Sequence, residues 1–290
     1  MQDNYLIDKT YVRKSFNRAA SSYDAAAVLQ REVRTRMLTR LDLIKITPQT
    51  ILDAGAGTGN ASLALARRYP GSRVIALDLA LNMLHQSSAK EPWLARLTGI
   101  GRIAKICGDL ECLPLLGNSL DMIWSNLALQ WCNNLDAAFL GAHRTLRPDG
   151  LFVFSTFGPD TLRELRVASQ VDPEHIHVSR FIDMHDIGDA LVRAGFSAPV
   201  MDVEHFTLTY GDVLAVMRDL KDIGAHNATL GRRRGLEGKG FLQKLTEGYE
   251  KFRLAGKLPA TFEVIYGHAW KEQPFARPDN AQVIKLHRRK

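Results

Sequence analysis

"ILDAGAGTGNASLALARRYPGSRVIALDL" (51–79) packs Gly55, Gly57 and Gly59 and the acids Asp53 and Asp78 into one strand-turn-helix-strand unit. "TILDAG" (50–55) reads as a first strand, "NASLALARRY" (60–69) as a helix and "RVIALDL" (73–79) as a second strand. A glycine-rich turn between strand and helix brings backbone N–H groups up to a ligand. The dinucleotide fingerprint G-x-G-x-x-G is not met, because the order is G-x-G-x-G and Asn60 stands where the third glycine would fall. A P-loop is excluded, since no G-K-[ST] follows. A close-packed turn of this kind also suits a ligand without pyrophosphate, such as an amino-acid-bearing nucleoside. Asp78, ending the second strand, stands where a carboxylate can accept both ribose hydroxyls.

The alternation of strand and helix continues outward. "LNMLHQSSAK" (81–90) is a helix, "IAKICGDL" (103–110) a third strand and "LDMIWSN" (120–126) a fourth; "LDAAFLGAHRTL" (135–146) is a helix and "GLFVFSTF" (150–157) a fifth strand. Such alternation predicts a parallel sheet covered by helices on both faces. "RPDG" (147–150) predicts a turn just before the fifth strand, because Pro148 cannot continue a helix and Gly150 accepts positive φ. Asp109, in the "GDL" that ends the third strand, shares the edge of Asp78 and could take an exocyclic adenine amine. Asp53, at the first strand's end, would brace the turn or meet an ammonium group. These acids have a plainer use as helix caps.

After residue 156 the rhythm changes. Helices are expected at "DTLRELRVASQ" (160–170), "HDIGDALVRAGF" (185–196), "DVLAVMRDLKDIGA" (212–225) and "FLQKLTEGYEKF" (241–252). Strands are expected at "PVMDVEHFTLTY" (199–210) and "ATFEVIYGHAW" (260–270). One α/β domain over 1–290 is the simplest organisation. It divides into an N-terminal helical segment (1–49), a ligand-binding core (50–156), cap helices with a sixth strand (157–258), a last strand (259–271) and a basic tail (272–290).

The chain's 290 residues are 46% hydrophobic and 24% charged, the balance of a soluble globular protein. No apolar run approaches the roughly 18 residues of a membrane span. The start, "MQDNYLIDKTYVRKSF", has no apolar signal region, and Asp3, Asp8, Asp24 and Glu32 do not suit an acid-poor transit peptide. A cytoplasmic protein is expected. Cys107, Cys112 and Cys132 are odd in number with no C-x-x-C pair, which excludes a disulfide framework and a zinc pattern. Their apolar surroundings predict core packing, with a catalytic thiol as the alternative. A net charge of +7 favours an acidic partner.

"LDAGAGTG" with Asp78 and "GDLECLP" resembles the S-adenosylmethionine site of the Rossmann-like class I methyltransferases. The resemblance implies a mostly parallel seven-stranded sheet with inserted cap helices. It also implies S-adenosyl-L-methionine as cofactor, held by Tyr23, Asp53, Gly55, Gly57, Gly59, Asp78, Leu79, Met83, Asp109, Leu110 and Asn126. "SNLALQW" (125–131) is similar to the segment that lines the methyl-transfer site. Over nearly the whole chain, "SFNRAASSYDAAAVLQ" (15–30), "STFGPDTLRELR", "HVSRFIDMHDIGDALVRAGF", "DLKDIGAHNAT", "GRRRGL" and "ATFEVIYGHAW" look like the malonyl-[acyl-carrier protein] O-methyltransferases of biotin synthesis. In that family the N-terminal segment folds over the cofactor, which gives Tyr23 a lid role. Family members often have cysteine or a small residue where this chain has Ala56, and proline where it has Thr58. Both departures keep the turn possible.

The resemblance implies methylation of the free carboxylate of a malonyl thioester, on acyl carrier protein or coenzyme A. A carboxylate with a pKa near ~4 is ionised at neutral pH, so no general base is needed. Positioning must supply the catalysis. Arg180, in "HVSRF", is the first candidate for a clamp on the acceptor carboxylate. His175, His177 and His226 are weaker candidates, and a metal reading of the histidines fails because the chemistry needs none. The basic residues of 1–40, "GRRRG" (231–235) and "KLHRRK" at the chain end offer blocks that could dock an acidic carrier protein. Neither a membrane nor a nucleic acid is an expected partner. Two rivals stay open. "DTLRELR" and "PATFEV" also resemble methyltransferase-fold assembly factors of respiratory complex I, linked to arginine hydroxylation, and the basic charge alone admits an RNA methyltransferase.

Overall fold

A computed structural model describes residues 4–90, 103–172, 176–225, 227–232 and 239–273. Its centre is a seven-stranded sheet of β1 (Thr50–Ala54), β2 (Arg73–Asp78), β3 (Ala104–Cys107), β4 (Leu120–Asn126), β5 (Leu146–Phe157), β6 (Ser197–Tyr210) and β7 (Leu258–Lys271), in the order β3-β2-β1-β4-β5-β7-β6. The first five strands are parallel; β7 runs antiparallel to β5, and β6 antiparallel to β7. Strand order reverses direction between β1 and β4. A crevice opens there, outside the carboxyl ends of the strands, where α/β sheets bind their ligands.

Neighbouring residues of the central strands feed opposite cores. Ile51, Trp124, Leu151 and Val153 pack on one face, while Leu52, Ile123, Phe152 and Phe154 pack on the other. Two-sided burial explains why these strands are almost continuously apolar in sequence. Helices α3 (Val28–Arg40) and α4 (Asn60–Arg68) bring Val33, Met37 and Leu65 to the first face. Helices α6 (Leu135–Thr145) and α8 (Met184–Arg193) bring Phe139 and Leu191 to the second. Side-chain caps fix where these last two begin: Asn134 accepts from the Ala137 amide, and Asp183 from the His185 amide.

Helices α1 (Lys9–Ala19) and α2 (Tyr23–Ala26) cross the carboxyl edge before α3. Helix α5 (Leu81–Lys90) follows β2. Helices α7 (Arg163–Ala168), α9 (Val213–Asp222) and α10 (Lys239–Glu250) add Leu165, Val216 and Leu245 to the first face. No described helix is long and apolar enough to cross a membrane.

Two expectations are corrected. The turn at 147–150 is not a break before β5 but a bulge within it. Leu120 pairs with Leu146 and Met122 with Leu151, so the strand absorbs the extra residues, with Asp149 at φ 62°. The cysteines do not all pack in the core. Cys107 is exposed as the last residue of the edge strand β3, Cys112 is exposed at the end of the 3-10 turn Leu110–Cys112, and Cys132 is partly covered. Burial pushes the Cys132 thiol up to about 12, so it is not a thiolate nucleophile.

Candidate active site

The three glycines of the turn all have positive φ, but they are required for different reasons. A Cβ on Gly55 would meet the Ala128 Cβ at 2.3 Å, and one on Gly59 would meet the Ser87 Oγ at 2.1 Å. Those two are glycines because neighbouring chain packs against them. At Gly57 a Cβ would find only the Tyr23 ring, at 4.0 Å. Its missing side chain leaves backbone open to a cleft, and Gly57 lines both lobes of it.

One lobe, of about 660 Å³, is floored by the strand ends. Asp78 sits here with its carboxylate already braced: Oδ2 accepts from the Gly57 amide and Oδ1 from the Ala80 amide, each at 2.8 Å. An ionised carboxylate has about four acceptor positions, so roughly two remain for a ligand. Burial raises the carboxyl's pKa, and the two amides oppose that. Asp109 lines the same lobe, where its Oδ1 accepts from Glu111 N at 3.0 Å and from Lys9 Nζ at 2.9 Å. It therefore caps the 3-10 turn Leu110–Cys112 as well as facing the cleft. Leu79, Met83, Leu110 and Asn126 complete the expected set on this side.

The other lobe, of about 790 Å³, lies across the turn and is lined by Asp53, Gln30, Arg31 and Arg34. Asp53 is buried and turned away from solvent to accept the Ser62 hydroxyl at 2.5 Å. Burial pushes its carboxyl up to about 7; Ser62 pulls the other way, and the Asp78 charge adds to the rise. The loop-bracing reading of Asp53 is the one this geometry supports. Gly59 lines neither lobe and acts as the left-handed cap of α4. The sequence marks Arg34 only as one of the basic residues of 1–40, not as a cleft residue. Its guanidinium has no ion-pair partner among the described residues, although Asp24 and Asp53 both lie close enough to bias it. A run of arginines on one helix does not reveal which of them turns inward.

Tyr23 stands between the lobes and lines both. Burial, with the Asp78 and Asp24 charges, pushes its phenol well above the usual tyrosine range, so the ring stays neutral. Phe16 of α1 meets Tyr23 with ring centroids 6.4 Å apart and Trp131 at 5.3 Å, closing an aromatic roof. Asp24 of α2 accepts from the Thr58 hydroxyl at 2.5 Å and from Asn60 Nδ2 at 2.9 Å, and pairs with Lys90. Thr58 thus ties the roof to the glycine turn.

A methyltransferase-domain family model matches residues 52–154. A malonyl-[acyl-carrier protein] O-methyltransferase of Methylovorus sp. (strain MP688) is 61% identical over 99% of this chain and 97% of that protein. The chain belongs to the malonyl-[acyl-carrier protein] O-methyltransferase family. A second malonyl-[acyl-carrier protein] O-methyltransferase, from Gallionella capsiferriformans (strain ES-2), is 56% identical over 98% of each chain. A solved structure from Bacillus halodurans C-125, described as that of a putative methyltransferase, superposes with a TM-score of 0.58 at 17% identity. It covers 83% of this chain and 99% of its own, a likeness of fold. Like others of the malonyl-[acyl-carrier protein] O-methyltransferase family, this chain is an S-adenosyl-L-methionine-dependent enzyme. The assembly-factor and RNA readings are not favoured by relatives at this identity.

The residues fit that cofactor. Its charged amino-acid end matches the lobe holding Arg34, its nucleoside matches the lobe holding Asp78 and Asp109, and Gly57 leaves room for the passage between them. Arg180 is not part of this constellation. It is exposed and lines an outer groove, not the cleft, so the clamp on the acceptor carboxylate expected of it has no geometric support. His177 lies on the wall shared by that groove and an inner cavity, beside Asp172 at 3.2 Å and stacked on Phe241. His175 and His226 lie outside the described residues, as do Arg233, Arg234 and the basic chain end. Arg232 pairs with Asp8 at 3.1 Å and lies over the Tyr11 ring, so it serves the fold.

Proposed function

We propose that the protein transfers a methyl group from S-adenosyl-L-methionine to the free carboxylate of a malonyl thioester carried by an acyl carrier protein, giving the methyl ester used early in biotin synthesis. The observation behind this reading is the two-lobed cleft folded around Gly57 under an aromatic roof. When bound, the cofactor supplies an electrophilic methyl on a sulfonium. A malonyl carboxylate oxygen forms the new bond to that carbon, and the carbon–sulfur electron pair leaves with sulfur. No proton is lost.

The chain's own work is therefore binding, alignment and the exclusion of water. Asp78 takes the ribose hydroxyls with the lone pairs its backbone donors leave free. Asp109 takes the adenine amine, and Arg34 the methionine carboxylate. Phe16, Tyr23 and Trp131 keep water from competing for the methyl group. Alignment of two reactants in such an enclosure is worth roughly 7–11 kcal/mol.

The decisive experiment follows labelled methyl from the cofactor into malonyl-carrier protein under single-turnover conditions with cofactor saturating. The rate is expected to stay flat from about pH 6 to 8 and to fall only toward the carboxylate pKa of ~4. A limb near neutrality that persists in Asp53→Asn under those conditions would mean that a base is removing a proton and that the carboxylate is not the nucleophile.

A further inference from the structure

Beside the cofactor cleft lies an inner cavity of about 660 Å³, and the Trp131 indole is a wall of both. Phe157, Leu162, Leu165, Leu220, Ile223 and Phe262 give it an apolar lining, with Gln130, Thr161, Ser179 and Asn227 as polar edges. None of its lining residues is Asp, Glu, Lys or Arg, and its histidine, His177, is already beside Asp172. A carboxylate buried there would lose its hydration without gaining a counter-charge. The cavity suits an uncharged group with hydrogen-bonding capacity, which describes a thioester and its methylene. The acid end then projects past Trp131 toward the cleft.

The opposite wall of this cavity is the strap 177–181. His177, Val178, Ser179 and Phe181 line both the cavity and the outer groove, of about 2200 Å³. Most charges in that groove are spent. Arg166 donates to the Pro159 and Thr161 carbonyls at 2.7 and 3.1 Å, and Arg193 pairs with Asp136 at 2.9 Å. Asp183 is beside His185 at 2.8 Å. Arg180, at the strap's apex, is exposed and has no ion-pair partner among the described residues. A free guanidinium offers a planar fork that matches two oxygens of a phosphate.

We propose that the acceptor enters from this groove, with its malonyl thioester in the inner cavity against Trp131 and the phosphodiester of its pantetheine arm held by Arg180. The proposal rests on the function given above and assigns Arg180 to the arm rather than to the carboxylate. It is tested by steady-state kinetics with malonyl-carrier protein, malonyl-phosphopantetheine and malonyl-pantetheine. In Arg180→Ala the ratio of kcat/KM for the phosphopantetheine over the pantetheine acceptor is expected to fall about tenfold, and Arg180→Lys to recover part of it. Equal losses on both small acceptors, or no loss on either, would overturn the assignment. Filling the cavity with Ser179→Leu or Ala225→Leu should raise KM for all three acceptors while cofactor affinity, read by calorimetry, stays put. Unchanged KM in both folded variants would overturn the cavity's role. If the unaltered protein methylates none of the three, it is the parent function that fails.

Discussion

At the scale of single residues, Asp78 does two things with one carboxylate. It holds the glycine turn through the Gly57 and Ala80 amides and keeps acceptor positions for a ligand. A hydrogen bond to a charged group is worth about 1.5–3 kcal/mol, so Asp78→Ala should weaken cofactor binding by about ten- to a hundredfold in calorimetry. Unchanged affinity would leave Asp78 as a turn brace alone. The sequence made Asp78 and the glycines conspicuous, because a strand end followed by glycines has few other uses. It did not separate Gly57, where an added Cβ would meet only the Tyr23 ring, from Gly55 and Gly59, where it would clash with Ala128 and Ser87. That distinction depends on partners 28 and more residues away in the chain. Arg34 and Arg180 were illegible for a related reason. An arginine's spacing does not say whether its long side chain turns into a cleft or out to a groove.

At the scale of elements, α1 is fastened over the cleft by Asn17, whose Oδ1 accepts from the Asn82 amide at 2.8 Å, and by Lys9, which reaches Asp109 at 2.9 Å and Glu111 at 3.2 Å. The pair is partly exposed, so its worth is about 1 kcal/mol. Lys9→Met should then speed release of bound cofactor by about fivefold in a stopped-flow chase, with the folded fraction unaltered. An unchanged release rate would mean that the roof is held by its aromatic contacts and the Asn17–Asn82 bonds without Lys9. The strand-helix alternation of 50–157 was readable because two-sided burial leaves long apolar runs. The bulge in β5 was not, since Pro148 and Gly150 look alike in a turn and in a bulge. The exposure of Cys107 was hidden likewise, as an edge position is a property of strand order.

At the scale of the whole molecule, the buried Asp53 links stability to pH. Its carboxyl, pushed up to about 7 in the folded chain, sits near 3.8 when unfolded. The folded state therefore keeps a proton that the unfolded state has released between those values. Stability from this group is complete below about pH 4 and is lost as pH rises through 7. The ligand-free protein should show a melting temperature that declines from pH 5 to 8. In Asp53→Asn, whose amide oxygen can still accept from Ser62, that decline should be shallower. Parallel slopes for the two proteins would show that Asp53 is ionised throughout.

The edge-to-face contact of Phe16 with Trp131, centroids 5.3 Å apart, joins two events in time. Phe16 lines the cofactor cleft, and Trp131 is a wall of both that cleft and the cavity proposed for the acceptor. Were α1 to open for the cofactor, the Trp131 partition would lose the support of Phe16, and acceptor would find a finished wall only after the cofactor is in and α1 is back in place. The order expected on this reading is cofactor first, acceptor second, methyl ester out, and demethylated cofactor last. Product-inhibition patterns report this directly. Demethylated cofactor should compete with cofactor at any acceptor concentration, while the methyl ester should compete with neither substrate. An acceptor that bound equally well to the cofactor-free protein would show that the partition stands without its roof.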